Sequence, residues 1–229
     1  MDQNTGSDCY SQATAEPQLP EADRPVPLLT DDPAIWESAR QVLDSSGCVV
    51  FPTDTVYGIA ARAEDAAGVA HLQATKGRSD DFPPPLLVAD ADSVWPLVSS
   101  APDWAKRLAE AYWPGALTLI LATDRHDLSL SDTVHTLGIR VPDLDWLRGF
   151  LRWSGPLAVS SANKHNLPPA TRVEDAISQL GNDVGLYIDG GPTPGPVPST
   201  VVDCTGKIKI LRLGLLTQEM IMTTAGADA

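Results

Sequence analysis

Positively charged side chains are scarce in this chain of 229 residues. Lys and Arg number 16 against 30 Asp and Glu, which gives a formal net charge of -14. An acidic surface repels nucleic-acid phosphates, so we expect any contact with RNA to be local or indirect. Where two of the few cations lie close together, as at Lys76 and Arg78, they indicate an anionic ligand.

Cysteines, nucleotide-binding glycine motifs and long apolar runs are also rare or absent in the sequence. Cys9, Cys48 and Cys204 show no paired spacing, which excludes a disulfide framework or a zinc site of known spacing. There is no Rossmann or Walker glycine fingerprint. The N-terminus lacks the pattern of a signal peptide, and no apolar run is long enough to span a bilayer. We therefore expect a soluble, cytoplasmic protein with no membrane partner.

Helical periodicity alternates with short apolar strands along most of the chain. This alternation, with an apolar share of 43%, predicts an α/β fold: a twisted mixed sheet with helices on its faces. We predict a flexible acidic tail at 1–28, one folded domain at 29–218 and a C-terminal tail at 219–229. The predicted helices lie at 31–47, 63–77, 102–115, 144–153 and 173–181. The predicted strands lie at 47–52, 83–90, 116–123, 137–142, 156–161, 184–191, 199–205 and 207–214.

Five places put polar or cationic residues where predicted elements end, which is where α/β sheets usually bind ligands. They are Thr53 and Thr55 in "PTDTVYG", Lys76 and Arg78 in "KGR", Arg140 in "GIRVP", Ser161 and Asn163 in "SSAN", and Ser199 and Arg212 in "PSTVV" and "ILRLG". Singly, most have ordinary structural explanations, such as turn capping or cations at a helix C-terminus. Arg140 differs, because an arginine in an apolar strand needs an anionic partner or an open cleft.

Taken together, the five places predict a site for a nucleotide and an amino acid that has no P-loop. Three arginines and a lysine suit phosphates and a carboxylate, while hydroxyls and amides orient the ligands. The four histidines are scattered, and we assign none of them a catalytic role. His165 is the one that lies near the predicted site in sequence.

These blocks also resemble a known family. In chain order, "PTDTVYG", "KGR", "WPGALTLIL", "GIRVP", "SAN", "PSTVVD" and "ILRLG" resemble motifs of the YrdC-like family, and within it the bacterial threonylcarbamoyl-AMP synthases. The resemblance covers about residues 34–214. It implies a concave cavity in which L-threonine, bicarbonate and ATP condense to threonylcarbamoyl-AMP and pyrophosphate. A separate transferase complex would then use this product to modify tRNA, so no stable tRNA binding is expected.

The resemblance also implies residue roles. The catalytic set would be Lys76, Arg78, Ser161 and Asn163. L-Threonine would be bound by Thr55, Arg140 and Ser199, with Arg140 pairing the carboxylate. ATP would be bound by Lys76, Arg78, Thr136, Ser161, Asn163 and Arg212. Mg²⁺ would accompany ATP, although the sequence does not identify any carboxylate as a ligand of the magnesium ion.

The chain departs from the family pattern at three points. Pro84 stands where a polar residue is usual, so we expect one polar nucleotide contact to be absent. A histidine that often ends the next strand is replaced near Ala89 or Asp90, which removes an expected threonine contact. Asn166 stands where glycine is usual, which predicts a left-handed backbone conformation there. The length of the chain predicts a short, single-domain type.

Two alternatives stay open at this stage. The first is a relative of the same fold that hydrolyses or transfers carbamoyl-adenylates. The second is a non-catalytic RNA-binding module, against which the net charge argues.

Overall fold

The structure is a computed structural model that describes residues 28–29, 34–77, 83–128 and 135–226. The predicted tail at 1–28 therefore lies outside the described residues except for Leu28. Arg78 also lies outside them. Among the described residues, every helix falls short of the length and hydropathy needed to cross a bilayer.

Ten strands of the described residues form one sheet, in the order β1-β8-β2-β3-β7-β4-β6-β5-β9-β10. The strands are β1 Leu28–Leu29, β2 Val49–Phe51, β3 Gly58–Arg62, β4 Leu86–Leu87, β5 Leu117–Ala122, β6 Thr136–Arg140, β7 Leu157–Ser161, β8 Leu186–Asp189, β9 Thr200–Asp203 and β10 Lys209–Arg212. The sheet contains parallel pairs, such as β4 with β6 and β5 with β9, as well as antiparallel pairs, such as β3 with β7. The predicted mixed sheet is confirmed.

Six α-helices in the described ranges pack on this sheet. They are α1 Ile35–Asp44, α2 Ala66–Lys76, α3 Asp103–Tyr112, α4 Asp145–Ser154, α5 Val173–Leu180 and α6 Gln218–Ala225. Local sequence explains where α2 stops and starts: the Asp65 side chain accepts a hydrogen bond from Ala67 N, and Gly77 ends the helix with a left-handed φ of 64°. This ending fixes Lys76 in the last turn.

The strand register shows which sheet face each helix covers. Ala61 and Ala158 lie opposite each other on β3 and β7 and therefore share a face. Ala61 packs in a core with α2 and α5, and Ala158 packs in a core with α3 and α6. Their neighbours Ala60 and Val159 point to the other face, beneath α1 and α4. Because α1 and α4 cover only part of that second face, the rest of it is open.

The structure corrects the sequence prediction at β3 and at α6. Residues Gly58–Arg62 were predicted as part of a loop, but they form a strand that is antiparallel to β2. Four of its five residues are buried, so the strand lacks the alternation that marks a half-exposed strand. The predicted C-terminal tail at 219–229 contains most of α6, in which Ile221 and Ala225 are fully buried in the core beside α3.

Candidate active site

A cavity of about 630 Å³ occupies the open half of the sheet face. It brings together residues that the sequence predicted as site residues: Thr55, Lys76, Thr136, Arg140, Ser161, Asn163, Ser199 and Arg212 all line it. They come from strands, loops and the last turn of α2, and they are spread from residue 55 to residue 212. Arg78, the ninth predicted residue, lies outside the described residues. The individual roles assigned to these residues stay predictions.

Lys76 joins two of the sequence motifs. Its ammonium group donates to the carbonyl oxygens of Ser161 and Asn163, the second at 2.8 Å. His165 N in turn donates to the carbonyl of Lys76 at 2.8 Å. The lysine is only 4% exposed, and these carbonyl dipoles offset the cost of burying its charge. Lys76 is thereby held against the "SAN" segment at one end of the cavity.

Asn163 lies on the cavity wall with its amide group held in place. Its Nδ2 donates to the carbonyls of Lys164 and Leu167, both at 2.8 Å, which fixes the orientation of the amide. The Oδ1 atom is buried and has no hydrogen-bond partner among the described residues. An amide oxygen in this state suits a donor group of a ligand or a hard cation, and it does not suit a phosphate oxygen.

The adjoining loop contains Asn166, whose φ of 66° is left-handed, as the sequence predicts. Asparagine tolerates this region better than most residues. His165 lines the cavity beside it, with an exposed side chain.

Arg140, at the end of β6, donates hydrogen bonds from all three of its guanidinium nitrogens. Its Nε donates to Gly115 O at 3.0 Å, its Nη1 to Thr55 Oγ1 at 2.9 Å and its Nη2 to Asp54 Oδ1 at 2.6 Å. The sequence required an anionic partner or a cleft for this arginine, and the structure supplies both. Sequence reasoning missed Asp54 itself, although it lies between two singled-out threonines in "PTDTVYG".

The donor and acceptor roles of the Thr55 hydroxyl can be assigned from its neighbours. Thr53 Oγ1 donates its proton to Val56 O at 2.7 Å, so in its 3.0 Å contact with Thr55 Oγ1 the proton must come from Thr55. Thr55 Oγ1 also accepts from Arg140. It therefore faces the cavity with a remaining lone pair and no spare proton, which suits an amine or hydroxyl donor of a ligand.

Ser199 and Arg212 form the opposite wall. The Arg212 guanidinium donates to the Ser199 carbonyl from Nε at 3.2 Å and from Nη2 at 3.0 Å. Ser199 Oγ lies 2.9 Å from Thr118 Oγ1. The segment is held from behind by Thr200 Oγ1, which accepts from Gly214 N at 2.9 Å.

The remaining floor of the cavity is largely apolar, with one carboxylate at its far end. It is formed by Pro85, Leu87, Ile120, Gly138, Val159, Val201 and Leu211, with Asp203 and Thr205 beside them. Such a floor suits a flat organic ring that has polar groups at its edge.

Some of the residues that depart from the family pattern do not line this cavity. Pro83 and Pro85 lie on its wall, whereas Pro84 is buried and does not line it. Neither Ala89 nor Asp90 lines the cavity either, and Asp90 Oδ1 accepts hydrogen bonds from Ser93.

The thiols and Tyr57 do not act as reactive groups here. Burial raises the pKa of Cys48 and of Cys204 to about 12, so both stay protonated near neutrality. Burial likewise raises the pKa of Tyr57 to about 12, and its hydroxyl donates to Gly191 O at 2.7 Å. Tyr57 therefore ties the first motif to the loop that leads to Ser199.

Comparison with known proteins places these features in one family. The Sua5/YciO/YrdC family model, described as "Telomere recombination", matches residues 41–214. The chain belongs to this family. A Mycobacterium tuberculosis protein named provisionally as a threonylcarbamoyl-AMP synthase is 42% identical over 84% of this chain and 89% of its own length. The threonylcarbamoyl-AMP synthase of Bacillus subtilis is 38% identical over 87% of this chain.

Solved structures of the Sua5/YciO/YrdC family agree with the fold. The Pyrococcus abyssi Sua5 structure, complexed with L-threonine, matches with a TM-score of 0.78 at 31% identity, over 83% of this chain and 57% of that one. Escherichia coli YciO matches with a TM-score of 0.75 at 23% identity, over 85% of this chain and 97% of that one, which shows the shared fold. The chain spans 58% of the B. subtilis relative. The family resemblance predicted from sequence is confirmed.

Proposed function

We propose that this Sua5/YciO/YrdC protein is a threonylcarbamoyl-AMP synthase, which condenses L-threonine, bicarbonate and ATP to threonylcarbamoyl-AMP and pyrophosphate. The observation that carries the proposal is the convergence of distant cations, hydroxyls and an amide in one cavity of about 630 Å³. The names of its relatives support the same reaction.

In the proposed reaction, the threonine amine forms a bond to the carbon of bicarbonate-derived carbon dioxide and loses a proton. An oxygen of the resulting carbamate then bonds to the α-phosphorus of ATP, and the bond from that phosphorus to pyrophosphate breaks. Negative charge builds on phosphate and carboxylate oxygens throughout, so positioning and charge stabilisation suffice, without a covalent enzyme intermediate.

Threonine and ATP would bind at different ends of the cavity. Arg140 would bind the threonine carboxylate, while Thr55 accepts from the amine, which matches the polarity of its hydroxyl. Lys76 and Arg212 would face the phosphates from opposite walls. The apolar floor would hold the adenine ring.

Mg²⁺ would enter with ATP and neutralise phosphate charge. No group of three or more His, Cys, Asp or Glu residues that could hold a metal lies in the part of the chain that the structure describes. Most of the ligands would therefore come from the phosphates and water, as Mg²⁺ commonly prefers. Asn163 would hold the ion through Oδ1, since this buried atom has no partner within the described ranges.

A downstream transferase complex would consume the activated product, and the acidic chain itself would bind no tRNA stably. At a net charge of -14 the protein lacks the excess of cations that such binding requires. Both steps would take place in the cytoplasm.

The test is pyrophosphate release from ATP and bicarbonate, measured with and without L-threonine on the wild type, Lys76→Ala and Arg140→Ala. We expect threonine-dependent release that each substitution lowers by roughly 10²-fold or more, because each removes a preorganised charge. Lys106→Ala is the matched control, since Lys106 pairs with Asp103 on the exposed face of α3. Release that is independent of threonine, in folded protein that binds ATP, would indicate instead a relative that hydrolyses adenylates.

A further inference from the structure

A buried ion pair lies at the edge of the cavity, and the proposed reaction gives its acidic member no role. Arg140 Nη2 and Asp54 Oδ1 are 2.6 Å apart, and the two side chains are only 8% and 12% exposed. Asp54 comes from the loop between β2 and β3, whereas Arg140 ends β6. The pair therefore fixes the arginine against a loop that is 86 residues distant in sequence.

Asp54 is not part of the cavity lining. Its neighbours Thr53 and Thr55 line the cavity, as does Arg140, but Asp54 does not. A ligand in the cavity would thus meet the guanidinium and would not meet the carboxylate. Any effect of Asp54 on a ligand must therefore act through Arg140.

The donors of Arg140 show what this arrangement leaves for a ligand. A guanidinium has five N–H donors. Nε is taken by Gly115 O, one donor of Nη1 by Thr55 Oγ1 and one donor of Nη2 by Asp54 Oδ1. Within the described residues, one donor therefore stays available on each terminal nitrogen. Two such donors are what a carboxylate binds in a bidentate pair.

We propose that Asp54 is a positioning residue, which holds the Arg140 guanidinium in the orientation that receives the carboxylate of the amino-acid substrate. The inference rests on the proposed function and deepens it at the threonine end of the cavity. Of the three contacts of Arg140, the one to Asp54 is the shortest and joins two opposite charges. It is therefore the strongest anchor.

Two effects of removing Asp54 oppose each other. The carboxylate partly neutralises the guanidinium, so its loss strengthens the electric field felt by an incoming anion. Its loss also frees the guanidinium to turn, and bidentate binding depends on orientation. Orientation dominates, because Thr55 and Gly115 alone hold the group through contacts to neutral oxygens.

The experiment compares Asp54→Ala and Asp54→Asn with the wild type. L-Threonine binding is measured by calorimetry without ATP, and the KM values for L-threonine and for ATP are measured by pyrophosphate release. For Asp54→Ala we expect threonine affinity to fall roughly 10- to 100-fold, with the KM for ATP unchanged. Asp54→Asn keeps an acceptor oxygen and should lose less. Asp44→Asn is the control, since Asp44 pairs with Arg40 and Arg62 away from the cavity.

Each other outcome overturns the inference. Threonine binding that is unchanged or tighter in folded Asp54→Ala would show that Asp54 does not position Arg140. Equal losses for threonine and ATP, with a lowered melting temperature, would show a purely structural role. If Asp54→Ala does not fold, Asp54→Asn decides, and wild-type threonine binding in that variant overturns the inference. A wild type that binds ATP but not threonine would refute the proposed function itself.

Discussion

Thr53 is the last donor in a directed chain of hydrogen bonds that runs from Arg140 through Thr55 and Thr53 to Val56 O. We predict that Thr53→Val lowers the free energy of unfolding by about 1 to 3 kcal/mol, because Val56 O loses its donor and Thr55 N loses its acceptor. Urea denaturation measures this loss. Thr53→Ser keeps the hydroxyl and serves as the control. Equal stability of Thr53→Val and the wild type would show that these hydrogen bonds contribute nothing to the free energy of unfolding.

For individual site residues, the sequence predicts that they line the cavity. It does not predict which groups they contact. Arg140 was identified because an arginine inside an apolar strand is costly without a partner. Its partner Asp54 was missed, because the two residues are brought together by the pairing of β3 with β7, of β7 with β4 and of β4 with β6, which no local pattern encodes. The polarity of Thr55 likewise depends on atoms whose positions only the fold defines.

The β9–β10 hairpin supports Ser199 through a close approach of Gly214. A Cβ atom at Gly214 would lie 2.2 Å from Pro198 O and 2.5 Å from the carbonyl carbon of Ser199. We predict that Gly214→Ala displaces Ser199, weakens its contacts with Arg212 and lowers synthase activity roughly tenfold or more. Steady-state pyrophosphate release measures this. Gly206→Ala in the same hairpin is the control, since a Cβ there meets nothing within 4 Å. Comparable activity of the two variants would contradict the prediction.

Elements with strong end signals were predicted well. Helix α2 has its capping residue Asp65 and its terminating Gly77 in the sequence, so the position of Lys76 at a helix end could be predicted. Strand β3 could not be predicted in this way. A short strand that is buried on both faces shows no alternation of apolar and polar residues. Helix α6 is short, and it is held by Ile221 and Ala225 against α3, which is a tertiary contact.

For the molecule as a whole, the buried thiols predict how stability responds to alkali. Cys48 and Cys204 ionise near pKa 9 when unfolded, and burial raises their pKa to about 12 in the folded state. The folded state therefore holds protons that the unfolded state releases, so stability is complete below pH 9 and falls between pH 9 and 12. In this pH range, each thiol lowers the free energy of unfolding by up to about 1.4 kcal/mol per pH unit.

Urea denaturation at a series of alkaline pH values checks this. Cys48→Ala and Cys204→Ala each remove one of the two groups, so the slope of stability against pH should become shallower in each variant. Cys9→Ala is the control at the third cysteine. A slope that none of the three substitutions changes would assign the alkaline loss to other groups.

The cavity takes its walls from residue 53 through residue 212, almost the whole length of the domain. During synthesis on a ribosome, the motifs at its two ends are therefore separated in time as well as in sequence. A nascent chain that already carries Lys76 and Arg140 still lacks Ser199 and Arg212, together with the strands that complete the pocket. Until the chain has been made as far as residue 212, the cavity lacks the wall that Ser199 and Arg212 form, so a ligand that contacts both walls binds only after that point.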